Sequence, residues 1–381
     1  MSRDVYADLG VVPIINAAGS LTRMSGSVMH PEVAEAISAA SREFVVMSEL
    51  HESAGRRVAE LVEIEAAHVC SCATAGIALM AAAVMAGTDG GKIRQLPNTG
   101  GMADRFVAFE AHRNAFDQAL RLAGGTFVDV LANPRQMREA LDRADVAAAF
   151  YTFSWFNTED ALSLPEVVKI AHGAGKPVLV DAAAEVPPVE NLRRFVDEGA
   201  DLVAYSGGKA MRGPQASGIV LGRTDLIAAC AANDSPNMSV GRGMKAGKEE
   251  IVGAVKAVEL YVQRDHDRDS ALWEARVALM VERLSQISGV CSWRQLPFGL
   301  GQQIPHAAVS WDEEELCLSH EQAATQMLKR TPRIAIQLIH EPVYEFARKS
   351  GRELRLHPHT LREGEERVVA EALADLLTGP S

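Results

Sequence analysis

The run Tyr205-Ser206-Gly207-Gly208-Lys209-Ala210-Met211-Arg212-Gly213-Pro214-Gln215 sets a lysine and an arginine among glycines, between two apolar, strand-like runs at 201–205 and 217–221. A lysine held between buried strands is desolvated, which disfavours the ammonium and frees an amine to act as a nucleophile. Upstream, Pro177-Val178-Leu179-Val180-Asp181 reads as a buried strand that ends in a carboxylate. A strand-terminal aspartate followed by a Ser-x-x-Lys turn suits a pyridoxal 5'-phosphate site. Lys209 would form the Schiff base, and Asp181 would keep the pyridine nitrogen protonated so that the ring accepts an electron pair. An exposed turn is the plain alternative for Lys209, and a helix N-cap is the alternative for Asp181.

Other residues fit around this pair. Ser206 and the Gly207-Gly208 amides could meet the cofactor phosphate, and Arg212 either adds a contact to phosphate or substrate or shapes the turn by a salt bridge. Thr74-Ala75-Gly76 lies between a strand and an alanine-rich helix, where free amides and the helix dipole form a phosphate cup. His112 either stacks on the ring and shuttles protons or is a surface-loop histidine; Arg113 and Asn114 follow it as lesser candidates for substrate contact. Glu185 reads as structural. The loop Gly241-Arg242-Gly243-Met244-Lys245-Ala246-Gly247-Lys248 is basic, and either reaches a phosphate or carboxylate, in its own site or across a subunit boundary, or forms a solvated helix entry. Arg333 or Arg355 could hold a substrate carboxylate. His306, His357 and His359 have no metal-ligand spacing, and no metal is expected.

The elements needed to position these groups are visible as patterns. Short apolar runs at 68–72, 106–109, 126–130, 146–151, 177–180, 202–205 and 218–221 alternate with amphipathic stretches at 75–86, 115–123, 134–143 and 165–174. That alternation predicts an α/β fold with a mostly parallel seven-stranded sheet covered on both faces. Residues 247–287 form a long helical pattern broken once near 265–269. Strands at 290–296, 307–311, 334–339 and 353–357, with helices at 320–329 and 364–377, predict a small α+β C-terminal domain. The domain reading is therefore 1–250 for a large cofactor-binding unit with an N-terminal arm, and 251–381 for the linking helix and small domain. Residues 87–105, with five glycines, read as a loop near the substrate.

Composition narrows the function classes. With 381 residues, a formal charge of −12 and 48% apolar residues, the chain reads as a globular enzyme, and its acidity argues against a nucleic-acid partner. Its five cysteines are odd in number and scattered, so no disulfide framework is expected, and Cys70 and Cys72 read as core residues. The longest apolar stretch, 77–86, is too short to span a bilayer, and no signal-peptide pattern opens the chain. A cytoplasmic protein with a small-molecule substrate and no membrane partner is expected.

Four blocks in matching order resemble the selenocysteine synthase-like group of fold-type I pyridoxal phosphate enzymes, which includes the D-glucosaminate-6-phosphate ammonia lyases. They are Ile15-Asn16-Ala17-Ala18-Gly19-Ser20-Leu21-Thr22, Glu110-Ala111-His112-Arg113-Asn114, the Ser206–Gln215 lysine block, and Gly241-Arg242-x-Met244-Lys245-x-Gly247-Lys248-Glu249-Glu250. The resemblance implies a fold-type I transferase fold and a homodimer or higher homo-oligomer. It implies Lys209 as the Schiff-base lysine, Asp181 at the pyridine nitrogen, Thr74, Ala75, Gly76 and Ser206 around the phosphate, and His112 above the ring. It also implies a lyase that releases ammonia, after loss of a β-hydroxyl, from a small hydroxy amino acid or amino-sugar acid. Arg242, Lys245 and Lys248 would meet a distal phosphate on such a substrate. Selenium-transferring members carry an additional N-terminal tRNA-binding domain; this chain begins almost at the shared Asn16 block, which argues against tRNA chemistry. A racemase, aldolase or aminotransferase on the same cofactor, or a cofactor-binding protein without turnover, remains open at this level.

Overall fold

The computed structural model describes residues 5–153, 161–297, 302–339 and 352–379. The chain divides into two compact units: Val28–Arg264 with Gly299–Gln302, and Met1–Ser27 with Asp265–Phe298 and Gln303–Ser381. The division thus differs from the one read at residue 250. The helix Lys248–Val262 stays with the large unit, where it packs on the helices Pro31–Ala40 and Met47–Val62. Residues 1–27 join the small unit because β1 (Ile15–Ala17) pairs in parallel with the strand Ile334–Ile339, Ile15 opposite Ile334.

The large unit contains, in chain order, α1 (Pro31–Ala40), α2 (Met47–Val62), β2 (Ala66–Cys70), α3 (Ala73–Ala86), α4 (Gly90–Gln95), β3 (Arg105–Phe109), α5 (Gln118–Leu122), β4 (Thr126–Val130), α6 (Pro134–Leu141) and β5 (Val146–Thr152). It continues with α7 (Leu164–Gly173), β6 (Val178–Asp181), α8 (Asn191–Asp197), β7 (Leu202–Ser206), β8 (Gly218–Gly222), α9 (Thr224–Ala232) and α10 (Lys248–Val262). The sheet order is β2-β8-β7-β6-β5-β3-β4. β8 runs antiparallel to both neighbours, and the other pairings are parallel. The expected seven strands are therefore present, each within two residues of its predicted ends.

Both faces of this sheet are buried, which is why its strands read as unbroken apolar runs. Val107, Tyr151, Val180, Val203 and Ile219 point into one core with residues of α2, α6, α7, α8 and α10. Their chain neighbours Phe106, Phe150, Leu179, Ala204 and Val220 point into the other core, with α3, α4, α5 and α9. α3 is apolar all round, and Ala78, Leu79, Met80, Ala81 and Ala82 have no exposed surface at all. Residues 87–105 are not a plain loop: Asp89 caps α4 by accepting from the Gly91 and Lys92 amides at 2.7 and 3.1 Å.

In the small unit, α11 (His266–Ser285) starts where Asp265 accepts from the Arg268 amide, so the break in the long helical pattern falls between 262 and 266. β9 (Val290–Gln295), β10 (His306–Trp311), α12 (His320–Lys329), β11 (Ile334–Ile339), β12 (Glu353–Leu356) and α13 (Glu365–Thr378) follow. Their sheet has the order β1-β11-β12-β10-β9. Among the described residues no helix is long and apolar enough to cross a membrane.

Candidate active site

Register brings the sequence-read residues of the large unit to one end of its sheet. Thr152 stands opposite Asp181, Asp181 opposite Ala204, Ser206 opposite Gly218, and Gly218 opposite Cys70. So β5, β6, β7 and β2 end, and β8 begins, along the edge where open α/β sheets place ligands. Lys209 follows β7 on this edge, and α3 starts from it just after Cys70.

The lysine turn is fixed by contact. A Cβ on Gly207 would strike Ser217 Oγ, and one on Gly208 would lie 2.6 Å from Gln215 Cα. The Gly207 amide donates to Ser217 O at 2.9 Å, the Gly213 amide to Gly207 O at 2.9 Å, and Ser217 Oγ to Pro214 O at 2.6 Å. Lys209 is half-buried. Desolvation holds its pKa below the ordinary lysine value, against the opposing pull of Asp181 and then Glu185. An amine under that balance is a nucleophile and base closer to neutrality than a surface lysine.

Asp181 is 7% exposed and accepts from the Ala183 amide at 3.0 Å, an Asx turn rather than a helix cap. Burial raises its pKa, while the Ala183 N–H and Lys209 pull it back. Glu185 is 1% exposed, and its pKa is pushed up to about 8 by burial and then by Asp181. The significance of Glu185 was not visible in the sequence, because the stretch after β6 forms no regular element whose period could show an inward side chain.

His112 is buried, not on a surface loop. Its ring meets Tyr151 edge-on at 4.7 Å and Phe109 at 5.1 Å, and its Nδ1 lies 3.5 Å from the Thr152 amide. Among the described residues Nε2 has no partner, and burial lowers the pKa to about 4, so the ring is neutral at neutral pH. Arg113 and Asn114 are committed elsewhere. Arg113 donates to Asp117 at 2.6 Å and to Asp129 and lies over Phe127, while Asn114 caps the turn Ala115–Asp117.

At the start of α3 the cap is Cys72, whose Sγ accepts from the Ala75 amide at 3.3 Å, and the Gly76 amide donates to Cys72 O at 2.9 Å. Of the block Thr74, Ala75 and Gly76, the last two amides are thus engaged at the helix start, while the Thr74 amide, like that of Ala73, stands in the first turn, where a helix offers no intrahelical acceptor. Gly76 serves packing: a Cβ there would lie 2.9 Å from Val220 Cγ2. Likewise a Cβ on Gly218 would lie 2.5 Å from Cys72 C, so small residues let β8 carry the helix start.

The basic candidates separate sharply. Arg212 donates through Nε to Val28 O at 2.9 Å, and its own carbonyl accepts from the His30 amide, which ties down the segment before α1. Lys248 donates to Ala40 O at 3.0 Å and to Glu249. Arg242 and Lys245 are exposed on and after the turn Arg242–Met244. In the small unit, Arg355 is 5% exposed and pairs with Glu353 at 2.6 Å, and Arg333 donates to Leu328 O at 3.0 Å. Among the described residues no group of three or more His, Cys, Asp or Glu side chains is disposed to hold a metal, and the cysteines are free. A cavity of about 730 Å³ lies at the opposite end of β2, lined by His51, His68 and α2 and α9 residues.

Over 388 residues the chain is 31% identical to D-glucosaminate-6-phosphate ammonia lyase of Salmonella typhimurium (strain 14028s / SGSC 2262), covering 99% of this chain and 98% of that protein. The chain belongs to the D-glucosaminate-6-phosphate ammonia lyase family. A solved structure of such a lyase superposes with a TM-score of 0.83 at 31% identity, covering 99% of each chain. A second relative at comparable distance is 5'-C-glycyluridine monooxygenase-decarboxylase of a Streptomyces species, 33% identical over 98% of this chain and 92% of that one. The family model of L-seryl-tRNA selenium transferase matches residues 158–288. Serine palmitoyltransferase of Sphingomonas wittichii, 14% identical over 94% of this chain and 86% of its own with a TM-score of 0.61, shares the fold alone. The fold is the fold-type I arrangement that the resemblance implied.

Proposed function

We propose that this member of the ammonia lyase family uses pyridoxal 5'-phosphate to eliminate ammonia from a hydroxy amino acid or amino-sugar acid, with D-glucosaminate 6-phosphate the leading substrate. One observation carries the reading: a desolvated amine, a buried carboxylate and a helix start with free amides share one edge of the sheet. The residues fit the cofactor. Lys209 supports covalent attachment, Asp181 the ring nitrogen, and the Ala73 and Thr74 amides with Ser206 the phosphate. The unpartnered Nε2 of His112 fits the role of a neutral ring lying against the cofactor. When bound, the cofactor supplies a sink for the electron pair released at the substrate Cα.

The chain's own groups do the proton work. Asp181, buried and fixed by its Asx turn, presents negative charge without rotating away. Lys209, with its lowered pKa, takes the α-proton as a free amine and becomes an ammonium. That ammonium is the better acid for the departing β-hydroxyl, because His112 is neutral and a poor proton donor near pH 7. Loss of water and hydrolysis then give a 2-oxo acid and ammonia. Exposed Arg242 and Lys245 are the cations suited to a distal phosphate, since Arg212, Lys248 and Arg355 hold internal partners. A homo-oligomer belongs to the same reading. Phe44, Val45 and Val46, between α1 and α2, are 102%, 50% and 56% exposed, an apolar surface that a second copy would cover.

The test is reduction with borohydride in the presence of pyridoxal 5'-phosphate, followed by peptide mass analysis and by assay of ammonia release from D-glucosaminate 6-phosphate. The expected result is an adduct on Lys209 and ammonia production, both absent in Lys209→Ala. Wild-type protein without the adduct would end this reading. The 33% identical relative favours one second reading, oxygen-dependent decarboxylation of a glycyl nucleoside. Oxygen uptake and carbon dioxide release from 5'-C-glycyluridine, without ammonia release from the sugar acid, would select it.

A further inference from the structure

Glu185 is a buried ionisable group of the large unit to which the proposed reaction gives no task. Glu185 follows β6 on the stretch that begins with Asp181. Its amide donates to Ala182 O at 3.1 Å, and its carbonyl accepts from Asn191 Nδ2 at 2.6 Å, so the backbone is fixed on both sides. The side chain is almost wholly buried, and among the described residues Oε2 has no hydrogen-bond partner. An ionised carboxylate with an unsatisfied oxygen in such a place is strongly disfavoured.

The groups that face Glu185 sharpen this. They are Asp181 from β6, Tyr205 from β7 and Lys209 from the turn after it. Tyr205 is fully buried and donates its hydroxyl to Asn191 O at 2.5 Å, so it offers Glu185 no compensating charge. Two carboxyl groups therefore share one amine. If both were ionised, Lys209 would be held as an ammonium between them, the wrong form for a nucleophile or base.

We propose that Glu185 is a positioning residue that rests as the neutral carboxylic acid and thereby keeps Lys209 available as the free amine. The inference rests on the functional reading of Lys209 given above. Burial first, and the Asp181 charge second, hold the Glu185 pKa near 8, which agrees with the geometry. Once Glu185 ionises above that pH, a second negative charge faces Lys209 and favours its ammonium. Alkaline conditions then gain less free amine than an isolated lysine would provide. Stability responds with a definite sign. The folded-state pKa of Glu185 lies above the unfolded value, so its contribution is fully present below the unfolded pKa and is lost as pH rises towards 8. Glu185→Gln, which copies the neutral acid, is therefore expected to become progressively more stable than wild type between about pH 5 and pH 8.

The experiment combines two measurements on the full-length protein. Infrared spectroscopy of wild type is expected to show a protonated-carboxyl stretch at pH 7 that disappears as pH passes 8 and is missing from Glu185→Gln. In protein freed of pyridoxal 5'-phosphate, so that the Lys209 amine is not held as an imine, its modification by an amine-acylating reagent, read by peptide mass, is expected to run roughly tenfold faster in Glu185→Gln than in wild type at pH 9. Absence of any such infrared band, its persistence in Glu185→Gln, or superimposable Lys209 profiles in the two proteins would overturn the proposal. Should Glu185→Gln not fold, the wild-type infrared titration decides by itself, a band titrating near pH 8 supporting the proposal and no band refuting it. The functional reading fails separately, by a missing cofactor adduct on wild-type Lys209.

Discussion

Two basic, glycine-spaced stretches, 206–215 and 241–248, look alike as sequence and differ in how they hold their cations, although Gly241 is as crowded as Gly207, a Cβ there striking Asn233 O. In the first, added Cβ atoms at Gly207, Gly208 and Gly213 would meet Ser217, Gln215 and Ala257, and Lys209 sits desolvated among strands. In the second, a Cβ on Gly243 would meet nothing within 4 Å, and Arg242 and Lys245 lie in solvent. Glycine in the first permits close approach of backbone to backbone; at Gly243 it relieves no crowding. The contrast separates two uses of positive charge. Under the function proposed above, the cation that acts as a covalent or proton-transferring group is half-buried and desolvated, whereas those that would attract a charged substrate lie exposed to water.

The largest effect should come from Gly208→Ala. The new methyl collides with backbone at Gln215, so a loss of about 2 kcal/mol or more in unfolding free energy is expected, together with loss of the Lys209 adduct. Denaturant unfolding and borohydride trapping check both; unchanged stability would show that the turn is not sterically fixed. Of similar size is the contribution that His112, behind the same edge, makes to the acid limb of stability. Its folded pKa of about 4 lies below the unfolded value near 6.5, so its contribution is present above 6.5 and is lost as pH falls towards 4. Wild type should lose up to roughly 3 kcal/mol across that window that His112→Gln does not lose, measured by denaturation at stepped pH.

A smaller, different effect is expected in the open loop. Arg242→Ala combined with Lys245→Ala should raise KM for the phosphorylated sugar acid about tenfold, with kcat nearly unchanged and stability within about 0.5 kcal/mol of wild type. A fall in kcat at constant KM would move these residues into the reacting centre and erase the distinction between the loops. The least effect belongs to Gly243→Ala, for which thermal unfolding should be unchanged or slightly raised, by about 0.5 kcal/mol, since the methyl enters open space.

The sheet of the large unit was legible because burial on both faces leaves no polar residue to interrupt a strand, as in Val178–Asp181 and Gly218–Gly222. The placement of Lys209 and Asp181 at one edge of the sheet was legible because each ends or follows such a run. What escaped depends on contacts across long stretches of chain. β1 has three residues and is a strand only because Ile334–Ile336 lie beside it. α1 and α2 were not read as elements, and the apolar positions of α2, such as Ala54, Val58 and Val62, are buried against other parts of the large unit. The cap by Cys72 in the large unit, and the internal bonding of Arg212 and Lys248 there and of Arg355 in the small unit, are tertiary facts, so sequence could name these cations but not say which were already spent on structure.

The enclosure of α3 has a reach beyond the pocket. A rod of alanines and methionines gripped along its full circumference has no soft side into which an added methyl could settle, so crowding at Ala81 or Ala82 must travel along the axis to the amides at its tip. If that tip holds the cofactor phosphate as proposed, its affinity should respond to residues about two turns away from it, and variants selected for tighter cofactor retention should include positions deep in this rod as well as around the lysine.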